Sequence, residues 1–230
     1  MLRFLQSRYL ELIGSIYIYN EHRGYTAIDQ VLRAVRARWP EDLKLIAEIE
    51  KHRGDEQKHY LMFRRWFERR GVMPFKIDRA CGHIDRFIEI MFGARIDELQ
   101  PERMIGDGAL FARLCRIISL TEKRGYRQVE ILLRNRIVQS DRGLMKIFRI
   151  IEADEPSHWA PYDGWLEANA KRDSAWWERA LDRMIHSELL LVKLPFLFFS
   201  SRLPRRADWA DEHDDADRLP GKPFKSTAAV

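Results

Sequence analysis

Cysteine is scarce in this chain of 230 residues, which contains only Cys81 and Cys115. The two stand far apart and form no Cys-x-x-C pair, so the sequence offers neither a disulfide framework nor a zinc knuckle. Both thiols are therefore expected to be reduced, as is usual for a protein of the cytoplasm.

Long hydrophobic runs are also missing. The longest apolar run, "LLLVKLPFLFF" from Leu189 to Phe199, contains Lys193 and Pro195, whereas a bilayer span needs about 20 apolar residues. The first helix-like segment is interrupted by polar residues and has no small-residue cleavage site, so it does not resemble a signal peptide. We expect no transmembrane helix, and three interpretations of the run remain open: burial, a homodimer contact or peripheral contact with a membrane.

An excess of one charge is weak as well. The formal net charge is +5, but the basic residues are interspersed with acids along most of the chain. Mild basicity permits contact with an anionic membrane or a nucleic acid without indicating either. A nucleic acid is the less favoured partner.

Alternating strand patterns are absent, while apolar residues recur at helical spacing nearly everywhere, so the predicted class is all-α. We predict five long helices. The first covers about residues 2–38, the second begins at Pro40 and ends near Arg70, and the third follows the connector and ends near Val138. The fourth is capped by Asp141 and is interrupted near Pro161, and the fifth runs from Asp173 or Ser174 to Leu203 with a bend at Pro195. The connector between Gly71 and Pro101 is expected to hold a short helix over about 77–92.

A five-residue phrase occurs twice with one change, as "EHRGY" from Glu21 and as "EKRGY" from Glu122. Each copy is followed by a second phrase, "DEQKHY" from Asp55 and "DEPSHW" from Asp154. Both halves therefore read E-x-R-G-Y, a helix-length interval, and D-E-x-x-H-aromatic. This order indicates an internal duplication of a helix pair.

The spacing allows the acids of each half to meet. Glu21 and Glu56 are each about 26 Å from the turn near Trp39 at a rise of 1.5 Å per residue, so an antiparallel hairpin places them at the same height. Residues three apart share a helix face, which pairs Glu56 with His59 and, in the second half, Glu155 with His158. Several carboxylates buried together are costly unless a cation compensates them, so the pattern predicts a site for divalent metal ions.

This pattern resembles the ferritin-like di-iron carboxylate superfamily, in which two helices each supply a Glu and two others each supply Glu-x-x-His. The resemblance covers about residues 2–161 and implies a four-helix bundle with halves 1–70 and 101–161 and a long crossover between helices 2 and 3. With the fifth helix as a C-terminal addition the predicted domain spans residues 1–203, and the composition of residues 204–230 predicts a flexible tail. It further implies that two iron ions, or one manganese and one iron, are bound by six ligands and that two aspartates hydrogen-bond the ligating imidazoles across the bundle. The implied ligands are Glu21, Glu56, His59, Glu122, Glu155 and His158, and the implied aspartates are Asp55 and Asp154.

The other residues of the phrases have open roles. Tyr25 and Tyr126 are weak catalytic candidates, and a purely aromatic lining is the favoured alternative. Gly24 and Gly125 either leave room above the metals or admit a neighbouring helix. Arg23 and Arg124 are expected in solvent or paired with acids of adjoining helices. His52, one turn before Glu56, could be an extra ligand, but Ile151 occupies the corresponding place in the other half, so a core or channel histidine is the favoured interpretation. No cofactor other than the metals is expected.

The resemblance implies an oxidoreductase that activates O2 to hydroxylate or otherwise oxidise a small organic substrate, which the apolar fifth helix suggests is lipophilic. No flavin, haem or iron–sulfur motif is visible, so an external electron donor is expected. The alternatives are a rubrerythrin-like peroxidase or ferroxidase, an iron-storage protein and a tRNA-modifying hydroxylase. The lack of paired Cys-x-x-C motifs argues against the usual form of rubrerythrin, and the apolar fifth helix argues against a ferritin subunit.

Overall fold

The computed structural model of the chain describes residues 2–77, 81–170 and 175–210. Within these ranges the protein is all-helical, as predicted, and its only β-type pairing is an isolated bridge between Phe75 and Arg205. The α-helices are α1 Leu2–Arg38, α2 Leu43–Arg70, α3 His83–Phe92, α4 Pro101–Gly106, α5 Gly108–Arg134, α6 Arg136–Gln139, α7 Arg142–Asp154, α8 Pro156–Asn169, α9 Trp176–Glu188 and α10 Leu194–Phe199.

Two antiparallel helix pairs form the centre of the molecule. Contacts between α1 and α2 run in opposite directions along the chain, from Asp29 with Arg53 to Gly14 beside Trp66. The α5 helix packs in the same way against α8, where Ser119 donates a hydrogen bond to Asp163. Because the two pairs also contact each other through α2 and α7–α8, their facing sides enclose a common interior.

The ends of α2 follow from capping chemistry. The predicted start at Pro40 is wrong. The helix begins at Leu43, because the Asp42 side chain accepts a hydrogen bond from the Leu45 N–H, 3.0 Å away. At its other end Gly71 adopts a left-handed conformation with φ of 65°, which an L-residue other than glycine rarely takes. The predicted end at Arg70 is confirmed.

The third predicted helix is divided. It ends at Arg134 rather than near Val138, because the Asn135 side chain accepts hydrogen bonds from the Ile137 and Val138 N–H groups and thereby starts α6. The short connector helix begins at His83 rather than near Ile77, and residues 78–80 lie outside the described part.

The fourth predicted helix is not interrupted near Pro161, as was predicted, because Pro161 lies inside α8. Its discontinuity comes earlier, where α7 ends at Asp154 and Pro156 opens α8. Proline is favoured at a first helical position because its missing N–H would be unbonded there anyway. Asp141 caps the start of α7 as predicted, by accepting a hydrogen bond from the Leu144 N–H at 2.9 Å.

The apolar C-terminal helix is irregular and exposed. The predicted start at Asp173 or Ser174 lies outside the described residues, and the distortion lies at a π-turn over Leu189–Lys193, just before Pro195. Burial of the whole run within the chain was a wrong interpretation, because Leu191 and Phe196 are 76% and 74% exposed. Contact with a second copy or a membrane surface stays open.

The predicted tail begins with ordered contacts. The Lys76 N–H donates to the Pro204 carbonyl at 2.8 Å, and the Arg206 N–H donates to the Pro74 carbonyl at 2.9 Å. Residues 211–230 lie outside the described part. None of the helices in the part of the chain that the structure describes is long and apolar enough to cross a bilayer.

Candidate metal centre

The six predicted ligands lie together in the interior between the helix pairs. Glu21 comes from α1, Glu56 and His59 from α2, and Glu122 from α5. Glu155 and His158, the second-half counterparts of Glu56 and His59, lie where α7 ends and α8 begins. His59 Nδ1 is 3.2 Å from a Glu21 oxygen, and His158 Nδ1 is 3.4 Å from a Glu56 oxygen and 3.7 Å from a Glu155 oxygen.

The two predicted aspartates cross between the halves. His59 Nε2 is 3.0 Å from the Asp154 carboxylate, and His158 Nε2 is 3.4 Å from the Asp55 carboxylate. Lys58 lies between the two aspartates, 2.6 Å from Asp55 and 2.7 Å from Asp154. Each half therefore orients the imidazole of the other.

These contacts fix the tautomer of both histidines. An ionised carboxylate can only accept, so Nε2 of each ring carries the proton and Nδ1 keeps its lone pair. Burial alone would raise the pKa of Asp55, but hydrogen bonds from His158, Lys51 and Lys58 outweigh burial and lower it well below its usual range. Both imidazoles thus present an unprotonated nitrogen to the glutamates, as a metal ligand must.

His52 belongs to the same cluster, although the sequence favoured a core or channel role for it over that of an extra ligand. Its Nε2 is 3.7 Å from a Glu56 oxygen and 3.8 Å from a Glu122 oxygen, while its Nδ1 is 3.0 Å from the Tyr162 hydroxyl. Its ring stacks on His158 with centroids 4.2 Å apart. The duplication hid this residue, because its equivalent in the second half is Ile151.

Burial perturbs the carboxyl groups strongly. Burial and the neighbouring Glu21 raise the pKa of Glu56 to about 8. Burial and Glu56 raise that of Glu122 to about 7. Burial also raises the pKa values of Glu21 and Glu155 well above the usual range. Four acids that resist ionisation together indicate a place where a cation would compensate the charge.

Orphaned polar atoms support the fit to a metal. Among the described residues, none donates to or accepts from His52 Nε2, His158 Nδ1 or Glu155 Oε2, although all three are buried. Buried polar atoms rarely stay unsatisfied. Within the described part, two sets of donor atoms lie close enough to hold a metal ion: His52, Glu56, Glu122 and His158; and Glu21, Glu56 and His59.

We predict that the metal-free protein loses stability as the pH rises from 6.5 to 8.5. Because the folded pKa of Glu56 is about 8 and that of Glu122 about 7, the folded state binds more protons than the unfolded state in this range, and the free energy of unfolding falls. His52, whose pKa burial lowers to about 3, acts in the opposite direction only below about pH 6.5. Urea unfolding with a chelator present measures the slope, and a free energy that rises over this range would contradict the assignment.

The arginines of the two phrases pair with acids of adjoining helices, one of the two predicted alternatives. Arg23 is buried and holds Asp85 of α3 with nitrogen–oxygen distances of 2.9 and 3.0 Å. Arg124 holds Asp182 of α9 at 3.1 Å. The arginines thus dock α3 and α9 against the central helices.

These two acids reveal a third element of the repeat. Asp85 lies in "IDRFI", which starts at Ile84, and Asp182 lies in "LDRMI", which starts at Leu181. The structure therefore adds an Asp-bearing helix to each predicted half. The match between these two short phrases is present in the sequence. The role of their aspartates is clear only from the structure, which shows that they pair with Arg23 and Arg124.

The glycines of the phrases face the motif glutamates. A Cβ on Gly24 would lie well under 3.0 Å from a Glu56 oxygen, a separation that real Cβ atoms essentially never show. A Cβ on Gly125 would meet the equivalent oxygen of Glu155 at 3.8 Å, which is ordinary contact. Only in the first half, at Gly24, would a larger residue collide with the carboxylate of the motif glutamate.

We predict that Gly24→Ala weakens metal binding about 10- to 100-fold, as is typical when a residue that positions a ligand is changed. The matched variant Gly125→Ala should bind metal normally and gain up to about 1 kcal/mol, the difference in helix propensity. Chelator competition measures the affinities. Equal affinities of the two variants would show that Gly24 does not place Glu56.

The tyrosines of the phrases pack on the aromatic residue after each motif histidine. Tyr25 meets Tyr60 with ring centroids 6.1 Å apart, and Tyr126 meets Trp159 at 5.6 Å. Both contacts are edge-to-face, a favoured aromatic arrangement. The geometry agrees with the predicted lining role, and a catalytic role stays a prediction.

Comparison with known proteins gives no relative for this chain: no protein-family model, curated protein or solved structure matches it.

Proposed function

We propose that the protein is a di-iron oxidoreductase that activates O2 to oxidise a small organic molecule. The supporting fold proposal is that α1, α2, α5 and α7–α8 form a ferritin-like four-helix bundle, with α3 and α4 in the long crossover. The observation that carries the proposal is the reciprocal pairing of His59 with Asp154 and of His158 with Asp55. Such pairing holds two imidazoles ready for two ions.

The donor set favours iron or manganese. Glu21, Glu56, Glu122 and Glu155 supply hard carboxylate oxygens. Even with His52 included, only three imidazoles stand beside these four acids, an oxygen-rich balance that suits these ions better than copper or zinc. Four ionised carboxylates balance two divalent cations in formal charge. The interior then carries no net charge once both ions are bound, which removes the cost of burying the acids together.

When bound, two ferrous ions supply electrons to O2. The residues of the chain hold the ions and exclude bulk water, and the aspartates keep the proton on Nε2 of each histidine. In a hydroxylation one oxygen atom of O2 enters the substrate and the other leaves as water. An external donor supplies the two electrons, with two protons, that complete the balance.

Oxygen uptake tests this function. Protein loaded anaerobically with ferrous iron should consume O2 faster than the same concentration of free ferrous iron. A control variant, Lys44→Gln, should consume O2 like the wild type, because Lys44 is exposed and lies on α2 far from the site. Uptake no greater than that of free iron would reject the proposal, and preferential reaction with hydrogen peroxide would favour the peroxidase alternative.

A further inference from the structure

The outer side of the C-terminal helical segment is apolar and exposed. Val192, Phe196 and Phe199 follow one another at intervals of four and three residues, so they share one side of the helix. Leu191 adjoins them, and the four side chains are 62% to 79% exposed. Side chains of these types are usually among the most buried, so a contiguous exposed group of them marks a contact surface.

The inner side of the same segment is already used by the fold. Leu194, Leu197 and Phe198 pack against a buried cluster that includes Leu12 and Ile16 of α1. The segment is therefore apolar on two opposite sides, whereas a helix that only docks on its own core has a polar outer side. The described part of the chain leaves the outer side open, which indicates that this side has a partner of its own.

The start of α1 extends this surface. The Arg8 guanidinium donates hydrogen bonds to the Phe198 and Leu197 carbonyls at 2.6 and 3.0 Å and to the Ser200 carbonyl. These bonds place the start of α1 beside the end of α10. Phe4, one turn before Arg8, is 67% exposed at this end. We call the five exposed residues the apolar patch: Phe4, Leu191, Val192, Phe196 and Phe199.

The two chain segments that form this surface carry positive charge and no negative charge. Residues 189–207 contain four basic residues and no acid, and residues 1–10 contain two basic residues and no acid. Elsewhere in the chain acids and bases are interspersed. The basic residues of the two segments are Arg3, Arg8, Lys193, Arg202, Arg205 and Arg206.

Three of these residues keep an uncompensated charge. Arg3 and Arg202 are exposed, and the carbonyl groups that accept from Arg8 are neutral. No acid among the described residues forms an ion pair with any of the three. We call Arg3, Arg8 and Arg202 the basic rim, which lies where α1 begins and α10 ends, next to Phe4 and Phe199.

An apolar patch beside a basic rim matches the boundary layer of an anionic lipid bilayer. The acyl chains accept aromatic and aliphatic side chains, and the headgroup phosphates balance the arginines. A second copy of the chain fits less well. A two-fold contact brings the same surface of both copies together, so the two basic rims would enter one interface as opposed like charges.

We propose that the protein binds peripherally to the surface of a lipid bilayer with anionic headgroups, through the apolar patch and the basic rim. The phenylalanines enter the layer between headgroups and acyl chains, and the arginines stay at the phosphates. This contact uses no residue of the candidate metal centre, so it does not depend on the proposed function.

Flotation of the full-length protein with vesicles tests the apolar patch. We expect it to bind vesicles of equimolar phosphatidylcholine and phosphatidylglycerol. Phe196→Ser and Phe199→Ser should each weaken this binding about tenfold, because each removes a phenylalanine from the apolar layer, and the two together should abolish it. The control Leu43→Ser should bind like the wild type, since Leu43 is equally exposed but lies at the start of α2, beyond the far end of α1.

A second comparison tests the basic rim. The wild type should bind the mixed vesicles at least about tenfold more tightly than vesicles of phosphatidylcholine alone, and added salt should weaken the binding. Arg3→Gln with Arg202→Gln should weaken binding to the mixed vesicles about tenfold and leave binding to pure phosphatidylcholine unchanged. Lys44→Gln, which removes an exposed charge outside the rim, should have no such effect.

Three results would overturn the proposal. The first is that the wild type does not bind the mixed vesicles, and the second is that it binds pure phosphatidylcholine as tightly. The third is a dimer by light scattering that does not bind vesicles and that Phe196→Ser with Phe199→Ser converts to a monomer. This last result would assign the apolar patch to a second copy of the chain.

Discussion

Glu56→Gln should abolish tight metal binding while making the metal-free protein more stable. Glu56 belongs to both donor sets of the candidate metal centre, so its loss removes a charged ligand from each. In the metal-free protein the same carboxyl is fully buried and has a pKa of about 8. A neutral amide avoids the cost of ionising it, and since one pKa unit corresponds to about 1.4 kcal/mol, the gain at pH 8.5 should amount to a few kcal/mol.

The matched control for Glu56→Gln is Glu50→Gln. Glu50 lies on the same helix, is exposed and pairs with Arg36, so its replacement should change neither metal binding nor stability by more than about 0.5 kcal/mol. Metal content per chain and urea unfolding, each with and without a chelator, measure both effects. A Glu56→Gln protein that retains its metal, or that is less stable without metal, would contradict the assignment.

Arg23→Met should destabilise the protein by about 3 kcal/mol, through the buried charge that it leaves behind. The side chains of Arg23 and Asp85 are each 6% exposed, and removal of one partner of a buried ion pair leaves the other uncompensated. The Tyr19 hydroxyl, 3.0 Å from Asp85, would still donate a hydrogen bond to this carboxylate but cannot neutralise its charge. Urea unfolding gives the change in free energy.

Two further variants identify the cause of that loss. The double variant Arg23→Met with Asp85→Asn should recover most of the stability, because no unpaired charge remains and Asn can still accept from Tyr19. Arg124→Met should cost less than Arg23→Met, since Asp182 keeps its contact with His83. If the double variant is as unstable as the single one, packing of the arginine stem and not charge is responsible.

The sequence predicted the central helices and their contents because two kinds of signal agreed. Helical periodicity defined both ends of α1 and the C-terminal end of α2, although α2 begins three residues after the predicted Pro40. The duplicated phrases indicated which side chains should meet. The structure brings all six predicted ligands together with both aspartates. Breaks inside long helices were predicted less well. Asn135 acts through a local cap that resembles ordinary helical sequence, whereas Pro156 is a break signal in the sequence that the prediction placed inside the fourth helix.

The remaining features of the site depend on contacts between distant segments. His52 departs from the repeat, so no second copy marked it as a cluster residue. The partners of Arg23 and Arg124 lie on helices outside the predicted halves, and each is an ordinary Asp in an amphipathic segment. Most of the repeated phrase can now be explained: in both copies Glu faces the cluster, Arg docks a helix and Tyr packs on the aromatic residue of the second phrase. The glycine leaves room for a carboxylate in the first copy, at Gly24.

The most direct test of the metal centre is the number of metal ions per chain. The protein should be loaded anaerobically with ferrous iron, desalted and analysed for iron beside the double variant Glu21→Ala with Glu122→Ala. We predict two irons per chain in the wild type and a loss of both in the variant, with near-native helix content by circular dichroism. A wild-type protein that retains less than one iron per chain, or a variant that retains as much as the wild type, would contradict the proposed two-metal centre.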